Sequence, residues 1–399
     1  MWTDVSALFS TNRLDKKELE TLITNGIEST RYLAVDESRM LADPARYYKG
    51  GKPDLQLFDK KLYEVNPDDK VAIARAAAEE VLGKDERIIS VDSSYSDGEG
   101  SSYRLISNGF EGESKSTWFS VSASVSIKGE GEARPQDYWY DSALFYDKLT
   151  KAGIGAKALE RVLRKLGQKK AKSGKYTMVV DPMNVGNLLS PMLSALYGSA
   201  LQQKNSFLMD KLDTKVASDL FTLRDEPHAI GANGSRYFDN EGVATEPRTV
   251  FDKGVLKTYF IDTYNGKKMD IAPTISAPSR LILTPGDKDL NGLVADIKQG
   301  ILVTGFNGGN SNSSTGDFSY GIEGFLIEDG KLTQPVNEMN VTGNMVLYGI
   351  PWLLWAMTLN RTVHGRFLRW YLRESTSADY NASSTSGSYM GLMLQIFFR

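Results

Sequence analysis

From Tyr103 to Ile127 apolar residues recur at every second position, and an Asn108-Gly109 pair interrupts the run near its start. Alternation of this kind belongs to a strand with one buried face, and Asn-Gly supplies the two positive-φ residues of a tight hairpin turn. The expected element is a hairpin or meander, with Trp118, Val121, Ala123, Val125 and Ile127 in register on one face. It is bracketed by segments of helical period. Leu14 to Leu33 places Leu19, Leu22, Ile23 and Ile27 on one stripe behind a capping Asp15; Asn66-Pro67 opens a second helix that Gly83 closes. A third runs from about Gly155 to Leu166, with Leu159, Val162, Leu163 and Leu166 inward and Gly167 beyond its end, and a fourth starts at Asp181-Pro182 and reaches about Gln203.

After Lys204 the chain turns strand-rich. Asp239-Asn240-Glu241-Gly242, Asp252-Lys253-Gly254 and Glu328-Asp329-Gly330 punctuate β-branched and aromatic runs such as Arg248 to Phe251 and Val255 to Ile261, and Gly305 to Gly316 reads as a long polar loop. The expected fold class is α+β: a mixed N-terminal α/β domain over 1–175, then a largely antiparallel β domain over 176–345, with 346–399 set apart as a tail.

Composition narrows the chemistry. With no cysteine, the 399-residue chain has no thiolate for a nucleophile, an iron–sulfur cluster or a zinc site, and no disulfide. Net charge is −3, and the one dense basic run, Arg161 to Lys175, reads as the solvated end of a helix rather than a nucleic-acid face. No basic-then-apolar leader and no membrane-length apolar run is visible, so a cytoplasmic location is the expectation.

The two histidines, His228 and His364, are far apart, so no pair stands one helical turn apart around a Glu as a zinc hydrolase needs. Asp225-Glu226 and Asp239/Glu241 lie at turns, where carboxylates cap backbone N–H groups. No Gly-x-Ser-x-Gly elbow occurs, and Gly153-Ile154-Gly155 reads as a helix entry rather than a phosphate cradle.

Longer patterns carry a resemblance. Ser206-Phe207-Leu208, Lys211-Leu212, Val216-Ala217-Ser218, Asp225-Glu226-Pro227, Gly234-Ser235 and Phe238-Asp239-Asn240-Glu241-Gly242 resemble the TldD/PmbA family. So do Asp252 to Lys257, Gly300 to Thr304, Thr315 to Ser319, Thr342 to Met345 and, upstream, Ser107 to Phe110 and Ser120 to Ile127. The resemblance spans roughly 9–345. It implies a two-subunit protease in which the TldD subunit carries a zinc-binding His-Glu-x-x-x-His helix and the PmbA or TldE subunit does not.

The corresponding segment here runs Asn187-Leu188-Leu189-Ser190-Pro191-Met192-Leu193-Ser194-Ala195. Aligned through its Leu-Leu, it puts Ser190 and Ala195 where the histidines would stand and Pro191 in place of the glutamate. By resemblance the chain is a subunit of the PmbA/TldE type: no catalytic residue and no metal of its own, zinc in the partner, unfolded peptides as substrates, and no nucleic acid or membrane as partner. A stand-alone binding or regulatory protein, linked to toxin–antitoxin systems or to gyrase, is the alternative, and a peptidase of unusual chemistry a third. Groove or interface contacts are assigned to Asn307, Gly308, Gly309, Asn310, Thr315, Gly316 and Asp317, against the simpler reading that these residues shape a turn.

Both ends depart from the family. Reading codons one base back through Trp355 to Thr358 forces Gly and Asp two positions apart, as in the family's Ala-Val-Gly-Asn-Asp-Pro tail, and the same shift in 1–8 yields a family-like start. Residues 1–8 and about 346–399 are therefore expected to be products of a shifted frame, with a strand-rich start missing.

Overall fold

The computed structural model describes residues 6–345 and 392–397. The expected frame-shifted segments therefore lie outside the described residues, apart from 6–8 and 392–397, as does His364. A first strand, β1 (Ser6–Thr11), pairs antiparallel with the last, β13 (Leu392–Phe397). Helix α1 (Lys16–Thr30) follows, and Asp15 caps it by accepting the Glu18 N–H at 3.0 Å. Its stripe is only partly covered: Leu19, Leu22 and Ile27 are half-buried, while Ile23 is exposed.

The first core is built from α2 (Pro67–Glu79), the strands β2 (Ile88–Ile106), β3 (Phe110–Ile127) and β4 (Gln136–Ala143), and α3 (Ile154–Leu163). The strands form one antiparallel sheet in the order β2-β3-β4. The expected hairpin is present, but its turn takes three residues, 107–109, with positive φ at Gly109 and not at Asn108, and Trp118 is on the wrong face for the register assigned to it. The inward positions are the odd ones, Phe119, Val121, Ala123, Val125 and Ile127, and Trp118 points out with 41% of its surface exposed. Since successive side chains point to opposite faces, an even-numbered residue cannot share a face with Val121.

Helices α2 and α3 cover the apolar face. Asn66 caps α2 by accepting the Asp69 N–H at 2.8 Å. Helix α3 begins after Gly153, and the Glu80 carboxylate accepts the N–H groups of Gly153 and Ala156 at 2.6 and 3.1 Å, an acid at the positive end of a helix. Gly155 lets the two helices touch, since a Cβ there would lie 1.9 Å from the Ala77 carbonyl oxygen.

The larger, second core is organised by two four-stranded sheets. One runs β12-β11-β10-β5, from β5 (Thr177–Val180), β10 (Gln299–Ser311), β11 (Asp317–Glu328) and β12 (Lys331–Asn344). The other runs β8-β7-β6-β9, from β6 (Leu223–Asp225), β7 (Arg248–Asp252), β8 (Val255–Leu256) and β9 (Leu281–Leu283). All pairs are antiparallel except β5–β10. The turns after Asp252 and Glu328 are two-residue hairpins with both central residues at positive φ, Lys253 at 44° and Gly254 at 78°, and Asp329 at 47° and Gly330 at 78°.

The expected long fourth helix is two helices, α4 (Val185–Ala195) and α5 (Gly198–Gln202). They separate because Phe260 inserts its backbone between them, donating to the Leu196 carbonyl at 2.9 Å and accepting from the Gly198 N–H at 2.7 Å. Two short helices, α6 (Thr263–Met269) and α7 (Leu290–Ala295), complete this part. The tip of the β2/β3 ribbon reaches into the second core, where Phe110 packs against Tyr47 and Phe238. The architecture is α+β.

Candidate functional site

Between the two cores lies a cleft of about 1060 Å³. One wall is the open face of the β2–β3–β4 sheet, with Trp118, Ser120, Tyr138 and Tyr140; the other is the start of α4 together with Thr304 to Asn307 of β10. The open edge of β10 contributes here. Strand β5 pairs with it only from Gly300 to Val303, the Val303 and Thr304 carbonyls accept from the Asp181 N–H and Asn184 Nδ2, each at 2.8 Å, and from Gly305 onward β11 on the opposite edge is the strand paired with it.

The Gly/Asn/Ser stretch that reads as a loop is therefore mostly strand. Gly305 to Ser311 pairs with β11, with bulges beside Gly305 and between Phe306 and Gly309, and only 312–316 forms the turn. The glycines are needed here for two reasons: a Cβ on Gly305 would lie 2.6 Å from Glu323 Oε1 and one on Gly309 2.3 Å from the Ser319 carbonyl oxygen, while Gly308, in open space, holds φ at 77°. The assigned contacts consequently separate. Asn307 faces the cleft. Gly308 and Gly309 make the bulge, and the Asn310 side chain accepts the Ser311 N–H. Thr315, Gly316 and Asp317 shape the turn, where the Asp317 carboxylate accepts from Thr315 Oγ1 at 2.7 Å and Asn344 Nδ2 at 2.6 Å; these bonds hold its pKa below the ordinary value.

The basic run from Arg161 to Lys175 is not a solvated helix end at its start. Lys165 is buried, its Nζ 2.7 Å from Glu323 and 3.2 Å from Asp137, and it donates to the Gln136 carbonyl at 2.8 Å. Arg161 lies 3.2 Å from Asp137 and 3.7 Å from Asp181. Asp137, Arg161, Lys165 and Glu323 line the cleft, and the network joins α3 and β4 to β11 and to Asp181 at the end of β5. Burial of charge is tolerable because each is matched by opposite charge and hydrogen bonds.

Helix α4 borders the cleft through Gly186 and Asn187. Pro191 has no N–H to donate to the Asn187 carbonyl one turn back, so the helical ladder is interrupted beside the cleft. Ser190, Pro191 and Ala195 are all buried, Ser190 at 2% and Ala195 at 0% exposure, among core neighbours such as Leu188, Met192 and Leu196. A hydroxyl, a pyrrolidine and a methyl offer zinc neither imidazole nor carboxylate, so this helix does not fit the ion. Among the described residues no group of three or more His, Asp or Glu side chains could hold a metal. His228 is engaged structurally, its Nε2 3.1 Å from Thr245 Oγ1 and its ring 5.0 Å from that of Tyr237.

The turn carboxylates do cap backbone, over longer distances than the sequence suggests. Asp225 accepts from the Ser279 and Arg280 N–H groups, the latter at 2.7 Å; Asp239 accepts from Glu241, Val243 and Ser276. Burial pushes the Asp225 carboxyl up. Glu241 accepts from the Thr263 N–H and hydroxyl at 3.0 Å, at the start of α6, and burial pushes its pKa to about 7, with Asp239 and Asp262 adding to the rise.

Trp118, Tyr138, Tyr140, Lys165 and Glu323 escaped sequence reasoning. A usable signal was present: serine at every second position from Ser120 to Ser126 marks the outward face of β3.

The fold is a two-core α+β scaffold with a cleft between the cores and helix α4 at its border. Residues 60–166 match the PmbA/TldA metallopeptidase central domain and 173–347 its C-terminal domain, and the chain belongs to the PmbA/TldD family. It is 29% identical over 344 residues to the metalloprotease PmbA homolog of Haemophilus influenzae, covering 84% of this chain and 75% of that protein. A solved structure from Bacteroides thetaiotaomicron, described as that of a modulator of DNA gyrase, is 72% identical with a TM-score of 0.84, covering 86% of this chain and 78% of that one. TldE from Thermococcus kodakarensis shares the fold at 21% identity, with a TM-score of 0.69 over 84% of this chain and 77% of that one. No helix among the described residues is long and apolar enough to cross a membrane.

Proposed function

We propose that this chain is the non-catalytic subunit of a TldD/TldE-type metalloprotease complex, holding unfolded peptides for a zinc-bearing TldD-type partner. The observation that carries the reading is the pairing of a large cleft with a helix on its border whose motif positions are Ser190, Pro191 and Ala195, all packed into the core. The open edge of β10 suits an extended chain, because unpaired strand N–H and C=O groups accept any sequence through its backbone. A free-standing regulator would need no zinc-bearing companion, so the two readings differ in what the chain requires to act.

Metal analysis of the purified protein is the test. Less than a tenth of an equivalent of zinc per chain, and a melting temperature indifferent to chelator, are expected. One tightly held zinc per chain would overturn the non-catalytic assignment.

A further inference from the structure

We propose that the open face of the β2–β3–β4 sheet reads side chains of the bound peptide, selecting weakly charged segments that carry aromatic residues six positions apart. This rests on the reading of the cleft as a peptide groove and assigns its specificity.

The outward positions of β3 are Trp118, Ser120, Ser122 and Ser124. Register places Ser96 and Ser94 of β2 beside Ser120 and Ser122, and Ser142, Tyr140 and Tyr138 of β4 beside Ser120, Ser122 and Ser124. The face is thus a lattice of short hydroxyls with aromatic groups at its two ends. At one end the indole of Trp118 lies over Gly98, where a Cβ would come within 3.0 Å of Nε1, so the glycine makes room for the ring. At the other, Tyr138 and Tyr140 stack with centroids 6.2 Å apart and planes 18° from parallel. Trp118 is 41% and Tyr138 52% exposed, so both rings present apolar area to the cleft.

Spacing supplies the selectivity. Trp118 and the row holding Ser124 and Tyr138 are six residues apart along β3, about 20 Å at the rise of a strand. A peptide extended alongside has the same rise, so side chains at positions i and i+6 share its sheet-facing side and meet both aromatic ends. An odd separation turns one of them away. Charge favours the same occupant. Lys165 and Arg161 are matched by Asp137, Glu323 and Asp181, and among the outward-facing positions paired with Trp118, Ser120, Ser122 and Ser124 only Asp92, at the β2 margin, is charged. Tyr, Trp and Ser together give rigid contact area with adaptable hydrogen bonding, the composition of recognition surfaces that bind varied sequences.

The test uses fluorescence anisotropy of the full chain with three unstructured Gly/Ser peptides: two phenylalanines six residues apart, two phenylalanines five residues apart, and alanine at both places. The six-spaced peptide is expected to bind about tenfold more tightly than the alanine peptide, the ratio two aromatic contacts supply, and about threefold more tightly than the five-spaced peptide, which keeps one contact. Trp118→Ala and Tyr138→Ala each reduce it toward the alanine peptide, while Trp118→Phe retains most of the gain, with melting temperatures unchanged because both side chains are exposed. Equal affinity for six- and five-spaced peptides overturns the register. Tight binding of all three, indifferent to the substitutions, overturns side-chain reading while leaving the peptide groove standing. Binding of none overturns both.

Discussion

Glu241→Gln isolates the cost of a carboxylate half-buried at the start of α6. Glu241 accepts from the Thr263 N–H and hydroxyl at the start of α6, and burial raises its pKa from the ordinary 4.5 to about 7. Between these values the folded chain holds a proton that the unfolded chain has released. Stability therefore falls as pH rises from about 4.5 to 7, and is flat above. The shift corresponds to at most ~3.5 kcal/mol at about 1.4 per unit, and because the side chain is only half-buried, solvent screening brings the expected range to about 1–3 kcal/mol. Glutamine keeps an acceptor for Thr263 and carries no charge. At pH 8 the variant is expected to be more stable than the parent by about 1–3 kcal/mol, or roughly 2–6 °C for a unit of this size. At pH 4.5 the two should coincide. Thermal melts of both proteins across this pH range measure the difference. A difference that is constant with pH, or a variant less stable at pH 8, would refute the reasoning.

Lys165→Met removes the cation between Asp137 and Glu323 and leaves buried carboxylates short of a partner; a loss of about 3–5 kcal/mol in urea unfolding is expected, and a loss under 1 kcal/mol would show the network to be solvated. Gly155→Ala drives a Cβ to within 1.9 Å of the Ala77 carbonyl, so despite alanine's higher helix propensity it should destabilise by about 1–3 kcal/mol, while Gly174→Ala, whose nearest neighbour is 3.5 Å away, stays within about 0.5 kcal/mol.

Local signals were the legible ones. Asp15 and Asn66 act as their chemistry dictates, since a cap is decided within a few residues; the 107–109 turn forms where expected, but only Gly109 takes positive φ, while the Asn108 side chain bonds Tyr47 and the Ala42 carbonyl. What failed depended on distant partners. Residues 305–311 look like loop because Gly and Asn are poor strand formers, yet β11 supplies a ladder that overrides the preference. The long fourth helix is divided by Phe260, some 60 residues further on, and nothing in the helix itself announces this. Lys165 reads as solvent-facing until Asp137 and Glu323 are brought to it by separate strands. Resemblance singled out the helix segment 187–195; its place beside a cleft, and the aromatic wall opposite, needed the fold.

The most direct measurement of the central claim is cleavage of an unfolded peptide by a zinc-bearing TldD-type partner with and without this chain. Cleavage by the mixture, with little by either protein alone, is the expected result. Cleavage by the partner that is unchanged when this chain is left out would contradict the subunit assignment.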